Sequence, residues 1–262
     1  MSFEKPGTEN LEKFESIKEL EHFIKGAAER CRNESVPLSN DGSIDMLAYM
    51  DIYPGHVEDD LRKVREGKTN AKDIHEEQLG RDGEKLEMLA YAIFAKNLGE
   101  NFVVARSAPH DDKINGVDTI LLDRKTGKLV CAFDEVGDTT GSVYNDKLEK
   151  VQRCNRDGGA HLKYGLGLDE EKKIKLMNVR NVPLFYIALP KDRINKGIAE
   201  FIPEAERQSD FEKKLFAYFT ATITQQISGL ELYGKLHPEL KEKLSAFKNM
   251  VSALEKKPEK GK

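Results

Sequence analysis

The chain has 262 residues, enough for one large domain or two small ones, and its 34% charged and 39% hydrophobic residues suit a well-solvated globular protein. A net charge of −4 leaves no molecule-wide basic field for nucleic acid, so any polyanion site must be a local basic patch. Cys31, Cys131 and Cys154 are odd in number and widely spaced, which argues against a disulfide framework or a zinc knuckle and favours a reducing compartment. No apolar run approaches the ~20 residues of a membrane-spanning helix. The opening residues, MSFEKPGTENLEKF, lack the apolar core of a secretion signal, so a cytoplasmic protein with no membrane partner is expected.

The elements follow in chain order. Leu11, Phe14, Ile17, Leu20 and Phe23–Ile24 form a helical stripe that predicts a helix over 9–33. Pro37 and Gly42 break it, and two short helical pieces are expected near 43–51 and 56–66. The polar stretch REGKTNAKDIHEEQLGRDGE reads as a boundary or a mobile loop. Leu86, Leu89–Ala90, Ile93–Phe94 and Leu98 then predict a helix over 84–98, stopped by Gly99. NFVVARS reads as a strand. Two more strands, within 116–138, are joined by the polar turn DRKTGK. A helix is expected over 145–155 with Asn145 as its cap, and then a long glycine-rich loop, RDGGAHLKYGLGLDEEKK. VPLFYIAL, 182–189, is a continuous apolar run of the kind found in a strand buried on both faces. Helices over 210–228 and 238–255 and a frayed charged tail complete the chain. The order from residue 84 predicts an α/β sandwich with a mixed sheet, 81–205, between helical extensions at 1–80 and 206–262.

Acidic residues sit where this sandwich should be apolar. Side chains alternate along a strand, so Asp118, Ile120 and Leu122 share one face while Cys131, Phe133 and Glu135 share a face of the next strand. A hairpin makes the two strands neighbours and sets Asp118 opposite Glu135. The turn does not fix the register, so Asp134 is the alternative partner. Two converging carboxylates repel unless a proton or a cation intervenes, and a hard divalent cation, Mg²⁺ or Mn²⁺, suits oxygen ligands. Solvated acids at strand ends are the plain alternative.

These residues resemble the PD-(D/E)XK nuclease superfamily, the restriction-endonuclease-like fold. The resemblance spans about residues 84–190 and rests on GVD, a hairpin, and an apolar strand ending FDEVGD, after a helix bearing a glutamate. It implies a metal-dependent phosphodiester hydrolase acting on nucleic acid, DNA before RNA, or else an inactive relative that only binds nucleic acid or a protein. Asp118 matches the first acid of the motif, Glu135 the second, and Val136 the X position, whose main-chain carbonyl is implied as a metal ligand. Glu87 matches the helix glutamate, with Ala90, Tyr91 and Phe94 on its side of the helix and Glu84 as the alternative. The chain departs from the motif at its lysine. Gly137 stands at that position when Glu135 is the acid, and Val136 when Asp134 is. In the family that lysine orients the attacking water and stabilises charge at phosphate. Lys147 is the first candidate to supply the charge from elsewhere, with Gly137 leaving room for it, and Lys113 is the second.

The helix NDKLEKVQRCNRDGG carries Lys147, Lys150, Arg153 and Arg156, which suit either phosphate contact or a solvated face. Lys163, beside glycines in HLKYGLG, is a further phosphate candidate, as is Lys113. Gln152, His110 and His161 lie near the expected site, and either histidine could move a proton. The aromatic residues of DFEKKLFAYFTATI are read as helix core or as a subunit contact, which leaves a homodimer open.

Overall fold

The computed structural model describes residues 8–66, 82–171 and 173–255. Most of the polar stretch read as a boundary, and most of the charged tail, lie outside them. The helices are α1 (Thr8–Asn33), α2 (His56–Glu66), α3 (Asp82–Leu98), α4 (Pro109–Asn115), α5 (Gly141–Arg156), α6 (Lys191–Ala199), α7 (Asp210–Tyr233) and α8 (Pro238–Glu255), with a 3₁₀ turn at Met46–Tyr49. The strands are β1 (Phe102–Arg106), β2 (Thr119–Asp123), β3 (Leu129–Val136), β4 (Ala160–Leu168), β5 (Ile174–Val182) and β6 (Leu184–Ala188).

The architecture is mixed α/β. Four strands pair in the order β1-β2-β3-β6, antiparallel except for the parallel pair β3 and β6, and β4 with β5 forms a separate two-stranded sheet. The apolar run at 182–189 thus joins the hairpin as expected. Alternation along the strands divides the core in two. Phe102, Val104, Leu121, Cys131, Phe133, Phe185 and Ile187 pack under helices α1, α3, α6, α7 and α8. Val103, Ala105, Ile120, Leu122, Ala132 and Leu184 pack against α5, the β4–β5 ribbon and residues 36–57. The helical ends are continuous with the middle: Leu20, Phe23 and Ile24 of α1 and Leu244 and Phe247 of α8 share one cluster with the sheet.

Four expectations need correction. The glycine-rich segment expected as a long loop is strand β4, paired antiparallel with β5. Gly165 belongs there because a Cβ would stand 2.7 Å from Val179 Cγ2 and 3.0 Å from the Met177 carbonyl of the partner strand. Its glycines allow close strand approach rather than loop freedom. A short helix, α4, interrupts the expected run of three strands, and helix α6 follows β6 directly. Helix α5 also begins four residues before its expected cap. Among the described residues no helix is long and apolar enough to cross a membrane.

The outer edge of β6 is closed by side chains. The Gln226 amide accepts from Tyr186 N at 3.0 Å and donates to Tyr186 O at 2.9 Å, so it pairs as a further strand would. The buried Asn155 amide does the same for Leu184, at 2.9 Å from its N–H and 2.7 Å from its carbonyl, and ties α5 to the strand beside β3. Asn155→Ala orphans both backbone groups of Leu184 and is expected to lower the unfolding free energy by about 2–4 kcal/mol in urea titrations. A loss under about 0.5 kcal/mol, the size of a neutral surface change, would contradict this role for the amide.

Candidate active site

The acids of the hairpin gather where β3 leaves the sheet. The ladder pairs Thr119 with Phe133 and Ile120 with Ala132, which sets Asp118 level with Asp134 rather than with Glu135. The alternative register therefore holds. Asp118 still reaches Glu135, because its carboxylate accepts the Glu135 backbone N–H at 2.6 Å. Asp134 lies on the α5 side of the sheet, and Glu135 on the α3 side behind Cys131 and Phe133.

Glu135 is 2% exposed, and among the described residues neither oxygen of its carboxylate meets a hydrogen-bond donor. Burial pushes its carboxyl up to about 8; Asp118 and Thr119 lie close enough to temper the shift, and Glu87 adds to it. Asp118, 7% exposed, is held well above the usual carboxylate range by burial and by the charges of Glu135 and Asp134, with Lys147 opposing. Glu87 comes from α3, whose Ala90, Tyr91 and Phe94 are buried on the expected face. Its carboxyl is raised to about 8 by burial and then by Asp118, with Arg106 opposing.

Three cations border these acids. Lys147 Nζ lies 2.5 Å from Asp134 Oδ1 and 2.8 Å from the Glu135 carbonyl, within the reach expected of it. Gly137 has a steric role different from the one expected. A Cβ at Gly137 would stand 2.7 Å from the Asp82 carbonyl carbon and 2.8 Å from Gly83 N, so the first turn of α3 occupies that space. The glycine admits a helix, and the charge arrives from α5 instead. Lys150 reaches the same neighbourhood. Its ammonium lies where a Cβ of Gly116 would be, and Gly116 takes the left-handed conformation (φ 62°) that ends α4.

Arg106 was not singled out from the sequence. Its guanidinium bonds Glu87 at 2.5 Å and Glu84 at 3.2 Å, and its charge survives burial because those two carboxylates hold it. Asp112 of α4 adds negative charge close by. A signal for Arg106 was present: it follows Phe102 and Val104 on one face of β1, so it must enter the α3 side, where a buried guanidinium needs a carboxylate.

The remaining candidates stand apart from the acids. Lys163 forms an ion pair with buried Asp60, which also accepts from Tyr164 and lies 3.5 Å from His110 Nδ1. Lys113 donates to the Val64 carbonyl, and His161 pairs with Asn178. The Val136 carbonyl accepts the Leu189 N–H in the sheet. Arg153 and Gln152 lie on the exposed face of α5.

The oxygens fit a hard divalent cation in part. Among the described residues no three histidine, cysteine or acidic side chains form a ready-made cage. Mg²⁺, however, is commonly held by one or two carboxylates, with water and substrate phosphate completing its shell. Asp118 and the partnerless Glu135 supply such a pair. No family model matches the sequence, and no match was found among curated proteins or solved structures.

The raised carboxyls have a consequence for stability. Between ~4.3, the free glutamate value, and about 8, the folded chain binds more protons than the unfolded chain at Glu87 and Glu135. Stability then falls as pH rises through that window. With a chelator present, the thermal midpoint is expected to drop from pH 5 to pH 8, and a midpoint that rises over this range contradicts the assignment.

Proposed function

We propose that the protein is a metal-dependent phosphodiester hydrolase with a restriction-endonuclease-like core, acting on nucleic acid at the cluster of Glu87, Asp118 and Glu135. One observation supports the reading: a buried Glu135 carboxylate without a hydrogen-bond partner among the described residues, beside Asp118, on a residue whose main-chain carbonyl accepts from the Lys147 ammonium. A buried, unpaired carboxylate is among the costliest groups a core can hold. Among the described residues, the cations beside the four acids engage Asp134 and Glu87 and leave Asp118 and Glu135 without a charge partner, which a bound cation would supply.

Asp118 and Glu135 would hold a Mg²⁺ or Mn²⁺ ion, with Glu87 completing the negative wall behind them. When bound, such an ion acidifies a water and neutralises the scissile phosphate. Lys147 takes the role of the motif lysine, orienting the water and stabilising charge on the phosphate oxygens. Arg106 keeps Glu87 in place. Lys150 and Arg153 on α5 supply phosphate contacts beyond the site. Lys113 and Lys163 are not given that role, since each is engaged at α2 or its Asp60.

The second reading, an inactive nuclease fold that binds nucleic acid or a protein, draws on the absence of a ready-made ligand cage among the described residues. Two measurements separate the readings. Calorimetry should detect Mn²⁺ binding that Asp118→Ala abolishes. Mn²⁺-dependent cleavage of an oligonucleotide should fall on the order of 10²-fold in Lys147→Ala. Mn²⁺ binding of equal strength in Asp118→Ala sinks the assignment, and nucleic-acid binding without cleavage under any divalent ion favours the second reading.

A further inference from the structure

Beside the acid cluster, residues of α5, β6 and α7 line a cleft of about 360 Å³. Tyr186 lies at its base. In the parallel pair of β3 and β6, Tyr186 is level with Asp134, the residue that holds Lys147, so the cleft opens one strand away from the cluster. Leu148, the next residue after Lys147, lines its wall.

The lining is chemically divided. Leu148, Val151 and Leu230 with Tyr186 and Tyr233 give apolar and aromatic surface. Gln226 and Asn155 are committed to the backbone of β6 and make a fixed wall. Gln152, Gln225 and Arg156, by contrast, form no hydrogen bond or ion pair with any described residue, although all three line the cleft. Amides that present a donor and an acceptor in one plane, beside aromatic rings, match a flat heterocycle with hydrogen-bonding edges. A purely apolar guest would leave those amides unpaired, and a simple anion would gain nothing from the rings.

We infer that this cleft takes a nucleobase of the substrate strand, next to the phosphate presented at the acid cluster. The inference rests on the hydrolase reading and narrows its substrate. A base enters such a cleft only when it is out of the duplex stack, so the substrate is a single strand, a flap or a nucleotide turned out of a helix. Tyr186 supplies the stacking surface, Gln152 and Gln225 meet the base edge, and Arg156 stands where the strand continues. Uncommitted amides tolerate several bases, so weak sequence preference accompanies this mode.

The test measures binding of a fluorescent single-stranded DNA, of the same strand with one abasic position, and of the duplex, all in chelator. Gly229 offers a variant that spares the fold: a Cβ there meets no atom within 4 Å, and it lies on an exposed stretch of α7 that lines the cleft. Gly229→Phe fills the cleft without touching the acids. Single-strand affinity should fall about tenfold or more in Gly229→Phe and in Tyr186→Ala, the size of a lost base–aromatic stack. Tyr186→Phe should retain it, duplex binding should stay weak throughout, and Mn²⁺ binding should be unchanged in Gly229→Phe. Full single-strand affinity in Gly229→Phe overturns the cleft assignment and leaves the hydrolase reading intact. Tighter binding of duplex than of single strand also overturns it. A wild-type protein that binds no nucleic acid of any form overturns both.

Discussion

The Glu135 carboxylate, sealed under α3 at the end of the central strand, is the constraint around which the rest is arranged. A lone ionised carboxylate in an apolar interior has no solvent to stabilise it, and its proton stays on to about pH 8. The hairpin places Asp118 on its backbone N–H, α3 brings Glu87 from behind, and α5 brings an ammonium to its carbonyl. Each of these groups comes from a different element, so the sheet and both helix layers must be in place before the cluster exists. Such local conflict with the packing rules concentrates at functional sites, where stability is traded for chemistry.

The same region shows how steric fit redistributes charge. The start of α3 presses on Gly137 and leaves no room there for any side chain, so a lysine at that position would displace the helix that carries Glu87. Helix α5 packs on the opposite side of the sheet and turns Lys147 towards Asp134. Arg106 balances the α3 side in turn, held between Glu84 and Glu87. Positive charge thus flanks the acids from both faces of the sheet, and the strand end between them is left to the carboxylates. The cleft over β6 lies on the Lys147 side, beside Asp134.

Much of this was legible in the sequence, and the exceptions have physical causes. The helix at 84–98 and the strands at 116–136 and 184–188 follow from hydrophobic period alone, since each buries a whole face or both faces. The hairpin register was not legible. The six-residue turn tolerates a slip, and the bulge between Leu121 and Leu122 absorbs it. Strand β4 was hidden because Gly165 and Gly167 suggest a loop. Yet Leu162, Tyr164 and Leu166 alternate through the segment and are all buried, so the period of two was a better guide than the glycines. Lys147 is legible as the long cation carried by the helix that follows the acids. Arg106 is less legible because it ends an apolar strand, where a charged residue reads as the first solvated position.

The central claim is that Glu135 is kept at the expense of stability because it serves a cation. The thermal midpoint of Glu135→Gln, compared with that of the parent chain in chelator, tests it most directly. The amide has the same shape without the charge. At pH 8 to 9 the variant is predicted to melt several degrees above the parent, and at pH 5, where the parent carboxyl is protonated, the difference should nearly vanish. Added Mn²⁺ should raise the midpoint of the parent and not that of the variant. A variant that melts below the parent at pH 8 in chelator would mean that the carboxylate stabilises the fold by itself, and the account would be wrong.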